Sequence, residues 1–128
     1  MPSPKEVAQA TYDAYRRGDI DTIMAFMAEK VDWKLVGPPK LMRYAGQRET
    51  HPEIRRVFDQ MAEDDTIQVF QEREFIEAGD ELVVLGFVKG YTVPAGKSFE
   101  TEWVHVFTIR NGKITRWRGF YDTAARCC

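Results

Sequence analysis

The sequence predicts an α+β fold in which helices from the first half of the chain cover the concave face of a curved antiparallel sheet from the second half. Three observations carry this. Two helix starts of the same kind, Ser3-Pro4-Lys5-Glu6 and Thr50-His51-Pro52-Glu53, stand in the first half. From Thr66 onwards long apolar-polar alternations are separated by turn sequences. The last alternation, residues 100–122, is split by Asn111-Gly112, a pair that tolerates positive φ and joins strands in a tight hairpin. Helices segregated from a meander of strands pack on one sheet face. A strongly bent sheet under such helices makes a cone whose inside is a pocket.

Each element has its own signal. Ser3 to Glu6 form a capping box with proline at the first helical position. Val7, Ala10, Thr11, Ala14 and Tyr15 then fall on one helical face, and Arg16-Arg17-Gly18 ends the helix with cations and a glycine. Asp19 and Asp21 are candidate caps of a short second helix carrying Ile23, Met24, Phe26 and Met27. Residues 31–35 alternate and read as a short strand, stopped by Gly37-Pro38-Pro39 and followed by a loop through Tyr44 and Gly46. The second capping box opens a third helix with Ile54, Val57, Phe58 and Met61 on one face, ending in solvent at Glu63-Asp64-Asp65. Four long strands complete the chain: residues 67–77, residues 81–93 and the two arms of the hairpin. Gly86 and Gly90, inside the second of these, indicate a bend or bulge where the sheet curls.

At 128 residues, 44% hydrophobic and 30% charged, the chain reads as a single domain over residues 1–128 with a real core. A net charge of −2 gives nucleic acid no electrostatic footprint. No apolar run reaches membrane-helix length, and MPSPKEVAQA lacks the apolar stretch of a leader, so a cytoplasmic protein with no membrane partner is expected. Cys127 and Cys128 are adjacent at the end of a C-terminus expected to be loose, where neighbouring cysteines rarely bridge. No phosphate-binding loop is present and neither histidine is spaced to a second metal ligand, so no metal or cofactor is expected.

The hairpin carries the candidate chemistry. Trp103, His105, Phe107 and Ile109 share the face better suited to the inside. His105 is then either a core histidine bonded to a neighbour or a proton donor, acceptor or ligand anchor. The second arm has two possible registers. A two-residue turn puts Ile114, Arg116, Arg118, Phe120 and Asp122 on the His105 face and groups His105, Arg118 and Asp122 in the cavity. A bulge at Gly112 brings Thr115, Trp117, Gly119 and Tyr121 there instead. The first register is preferred. In it Arg118 would keep Asp122 ionised as a base or water-holding group, the alternative being a solvated strand-end carboxylate. Trp33, Tyr44, Phe58, Phe70, Phe87 and Tyr91 are further candidate walls.

The whole length resembles the SnoaL-like and ketosteroid-isomerase-like branch of the nuclear transport factor two-like superfamily. The residues that carry this are YDAYRRGDID at 12–21, VDW at 31–33 and VHVFTIRNGKITRWRGFYDTA at 104–124. The resemblance implies a cone-shaped, cystatin-like α+β barrel, a small apolar ligand and dimerisation through the outer sheet face. Steroid isomerase positions fall at Ala10, Trp33 and His105, none of which carries the required residue. In SnoaL-type cyclases an Asp closes the last strand and a His lies on the strand before it, which Asp122 and His105 match. Limonene-type epoxide hydrolases share the ending WRGFYD, with Arg73 and Asp122 as matches. Phe75 replaces their other Asp, and Trp33 and Leu35 replace the water holders. The expected function is binding of a small, largely apolar metabolite against Trp33, Tyr44, Phe58, Phe87, Trp103, Phe107 and Phe120. As an enzyme it would catalyse isomerisation or aldol-type cyclisation through Asp122, His105 and Arg118. The rival readings are binding without chemistry and a dimeric interaction module.

Overall fold

The structure is a computed structural model that describes residues 2–127 and, of Cys127, the backbone only. The order is helix α1 (Pro4–Arg17), helix α2 (Ile20–Ala25), strands β1 (Met27–Leu35) and β2 (Gly46–Thr50), helix α3 (His51–Asp64), strands β3 (Asp65–Ala78), β4 (Glu81–Thr92), β5 (Ser98–Arg110) and β6 (Lys113–Tyr121), and helix α4 (Ala124–Cys127). Both capping boxes form: the Ser3 and Thr50 hydroxyls accept from the Glu6 and Glu53 amides, and each glutamate reaches back to its cap backbone. Gly18 closes α1 with φ 70°, a left-handed conformation that glycine adopts without cost. No described helix is long and apolar enough to cross a membrane.

The six strands form one curved open sheet in the order β2-β1-β6-β5-β4-β3. Four of them are the predicted meander. The predicted short strand is longer at its start, so Met27 lies in β1 and not in the second helix. It runs parallel to β6, with Trp33 opposite Trp117, so the sheet is not wholly antiparallel. The residues after the predicted loop make the edge strand β2. The C-terminus expected to be loose makes α4, which buries Arg126. The side chains of Cys127 and Cys128 lie outside the described residues.

The curl is built where the glycines predicted it, although the extra residues belong to the partner strand. Opposite Gly90 and Gly86, β3 skips register at Gln68 and Arg73. Each bulge bends its strand and strengthens the local twist. A bidentate ion pair pins α1 to the bent strand, with Arg16 Nη1 and Nη2 at 2.5 and 2.6 Å from the Glu72 carboxylate. The helices bury Val7, Ala8, Ile54 and Val57 against Val31, Leu82, Val84 and Ile114 of the sheet. The buried face of α1 is turned towards Ala8 and Tyr12 relative to the predicted stripe.

The hairpin combines features of both predicted registers. Asn111 and Gly112 have φ 53° and 73° and form a two-residue turn between paired Arg110 and Lys113. Ile109 pairs with Ile114, but Thr108 pairs with Arg116, so Thr115 is an extra residue. Its hydroxyl donates to the Thr108 carbonyl at 3.3 Å. The shift therefore arises one step beyond the turn, and it exchanges the faces of everything that follows. Trp117, Gly119 and Tyr121 join the His105 face, while Arg116, Arg118 and Phe120 turn outwards.

Candidate functional site

A cavity of about 130 Å³ lies between the concave face and the helices. Its walls are aromatic. Trp33 of β1 stacks on Trp117 of β6 with ring centroids 4.0 Å apart, and Trp103 stacks on His105 of the same strand at 4.0 Å. Phe58, Phe70 and Phe107 complete the walls. Trp103 and Trp117 lie close to the sheet because Gly86 and Gly119 beside them lack a side chain. Gly86 faces Trp103 across β4 and β5, and a Cβ there would run into the indole ring and the Gln71 carbonyl.

One polar group of the cavity is the pair Tyr12–His105. The tyrosine hydroxyl of α1 lies 2.8 Å from Nδ1 of the imidazole on β5. Burial pushes the His105 pKa down to about 3, so the ring is neutral at physiological pH. What surface the ring keeps is on a side chain that lines the cavity. Burial, reinforced by Glu72, holds the Tyr12 hydroxyl protonated.

The other polar group is built from four elements. Tyr44, in the loop between β1 and β2, donates to Asp65 Oδ2 at 2.5 Å, and Arg126 of α4 donates through Nη2 to Asp65 Oδ1 at 2.6 Å. Both side chains of the Asp65–Arg126 pair are only 5% exposed. The guanidinium lies 4.6 Å from the Phe99 ring centroid. Tyr121, at the end of β6, contacts Met42 through its hydroxyl. Burial raises the pKa of Tyr44 and of Tyr121, so both stay protonated donors. Among the described residues, three buried side-chain nitrogens find no hydrogen-bond partner: Trp33 Nε1, Trp103 Nε1 and Arg126 Nε. All three belong to residues that line the cavity.

The predicted site residues divide accordingly. His105, Trp33, Tyr44, Phe58, Trp103 and Phe107 line the cavity. Arg118, Asp122, Phe87 and Phe120 do not. Arg118 is on the outer face, where Nη2 pairs with the Asp32 carboxylate at 2.9 Å. Asp122 follows the strand end, exposed, and accepts from the Ala124 amide at 3.0 Å. Phe87 and Phe120 also face outwards, Phe87 beneath the Arg73 guanidinium at 4.6 Å. The predicted grouping of His105, Arg118 and Asp122 thus gives way to two separate groups, because the Thr115 bulge inverts the second arm. The sequence reading missed Tyr12, Asp65 and Arg126 as site residues. Tyr12 lies one turn from Ala8 on the same helical face, a signal visible in the sequence. Nothing local marks Asp65, last of an acidic run, or Arg126, near the chain end.

The SnoaL-like domain family matches residues 8–117, and the chain belongs to that family. Among solved structures, an NTF2-like protein from Burkholderia thailandensis is 28% identical, with a TM-score of 0.88 over 98% of this chain and 95% of that one. TerC, co-crystallised with polyporic acid, is 31% identical with a TM-score of 0.82 over 96% of this chain and 95% of its own. An NTF2-like protein from Burkholderia pseudomallei shares the fold across 100% of both chains at 24% identity and a TM-score of 0.88. The curated proteins contain no significant match.

Proposed function

We propose that this SnoaL-like protein binds a small, largely apolar molecule in the cone, with its body between the indole rings and its polar atoms at the Tyr12–His105 and Asp65–Arg126 groups. The observation that carries this is the cavity: a mostly apolar, aromatic chamber with a few convergent polar side chains has the make-up of a ligand site. TerC, similar in sequence over nearly its whole length and co-crystallised with polyporic acid, supports a small organic occupant. Proton transfer next to a carbonyl is the catalytic version of this reading; Asp65, a residue of the wall held by Tyr44 and Arg126, is the carboxylate nearest to that role, and Asp122 is not part of the wall. Burial lowers the His105 pKa, which favours a neutral hydrogen-bonding role for the ring.

All three tryptophans of the chain line the cavity, so indole fluorescence reports its occupancy directly. Titration with polyporic acid is expected to quench that fluorescence saturably, at one ligand per chain. A linear, unsaturable response would show that the cavity is not the binding site.

A further inference from the structure

We propose that Tyr12 is a positioning residue that holds His105 in the tautomer with its proton on Nε2, so that the ring presents an N–H donor to the cavity and holds the occupant by an acceptor oxygen. The inference rests on the binding reading above and assigns the polarity of one of its contacts.

The first observation is where the proton of the Tyr12 hydroxyl goes. Tyr12 is 5% exposed, and among the described residues its hydroxyl has one hydrogen-bond partner, His105 Nδ1 at 2.8 Å. Burial keeps the phenol protonated and disfavours the imidazolium, so the pair holds one O–H and one N–H. With the ring proton on Nδ1, the imidazole would donate to the phenol oxygen and the buried O–H would be left without an acceptor, an arrangement native proteins avoid. With the O–H donating to Nδ1, nothing at the pair is stranded and the ring proton stands on Nε2. The bond made by one histidine nitrogen thus sets the state of the other.

The second observation is that Nε2 is open. Among the described residues the ring's one hydrogen bond is at Nδ1. Yet Nε2 is not one of the side-chain nitrogens that are both unpartnered and sealed, which are Trp33 Nε1, Trp103 Nε1 and Arg126 Nε. It therefore keeps accessible surface, and His105 belongs to the cavity wall. Its nearest ring neighbours there, Trp103 at 4.0 Å and Trp117 at 4.8 Å between centroids, offer it no acceptor, since an indole nitrogen only donates. The acceptor comes from the occupant: a carbonyl, hydroxyl or carboxylate oxygen, charged or not. A donor fixed before the ligand arrives needs no reordering on binding.

The test is a long-range ¹H–¹⁵N correlation from the carbon-bound ring protons at neutral pH, which reads a tautomer without needing the exchanging N–H. The chain has two histidines, and the second is a control: His51 Nε2 donates to the Ala28 carbonyl at 2.7 Å, so its tautomer is fixed elsewhere. His51→Gln tells the two sets of signals apart. In the ligand-free protein His105 Nδ1 is expected to resonate as a bare nitrogen and Nε2 as an N–H nitrogen. Tyr12→Phe should draw the two His105 nitrogens towards each other, as the ring samples both tautomers, and leave His51 unmoved. Packing by Tyr12 alone would not produce that change. Adding polyporic acid should shift His105 Nε2 more than Nδ1. A protonated Nδ1 in the unaltered protein overturns the inference and leaves the pocket reading standing, whether or not Tyr12→Phe folds. Saturable binding of polyporic acid with His105 Nε2 unmoved overturns the donor contact in the same way. If polyporic acid does not bind, the pocket reading falls and the contact with it, while the tautomer stands or falls on the ligand-free spectrum.

Discussion

His105 ties the protein's stability to acidity. Its pKa is about 6.5 in the unfolded chain and about 3 in the fold, because burial disfavours the imidazolium. Between those values the unfolded chain binds the extra proton and the folded chain does not. The stabilisation is therefore complete above about 6.5 and is lost as pH falls towards 3, with a slope approaching about 1.4 kcal/mol per pH unit. Denaturation midpoints measured across that window are expected to decline, and His105→Gln to flatten the decline. Ring signals of His105 that titrate near its ordinary pKa would contradict the assignment. The Asp65–Arg126 pair makes a second prediction at this scale. Arg126→Met leaves the Asp65 carboxylate buried without its cation, a loss of about 3–5 kcal/mol. Adding Asp65→Asn to that variant should restore much of the stability, since the stranded charge is gone. Chemical denaturation of the two single variants and the double variant measures the coupling.

Among elements, the glycine-lined seam between β4 and β5 carries the sharpest packing constraint. Gly86→Ala forces the Trp103 ring or the Gln71 carbonyl to move, and overpacking of this kind costs about 1–3 kcal/mol. Thermal unfolding of Gly86→Ala should show the loss, together with altered fluorescence from the displaced indole. The three N-terminal helices, their caps and the four-strand meander were legible in the sequence because their signals are local: capping boxes, alternation and an Asn-Gly turn. The glycines even marked where the sheet bends. The face of β6 was not legible, because it depends on Thr115, an ordinary strand residue whose surplus status appears only once Ile109 and Arg116 are paired. One such residue moved Arg118 and Asp122 out of the site and Trp117 and Tyr121 into it. The parallel pairing of β1 with β6 and the burial of Asp65 by Arg126 join distant parts of the chain, so no window of sequence contains either partner's signal.

For the whole molecule, the outer sheet face is the surface to test. Phe120 is 41% exposed beside Val104, with Leu85 next on the same face. We propose that a second copy covers this face. Sedimentation should give a dimer, and Phe120→Lys should shift it towards monomer without disturbing the cavity. A monomer at every concentration would refute it. The closing of the sheet itself has an optical consequence. Trp33 and Trp117 are far apart in the chain and stack 4.0 Å apart only when β1 lies beside β6. Two indoles at that separation couple their transition dipoles, which splits their ultraviolet band into a circular-dichroism couplet. That couplet is a built-in clock for the slowest kind of contact, a parallel pairing between distant segments. Its delay behind the general gain of strand signal during refolding would time the moment the cone is formed.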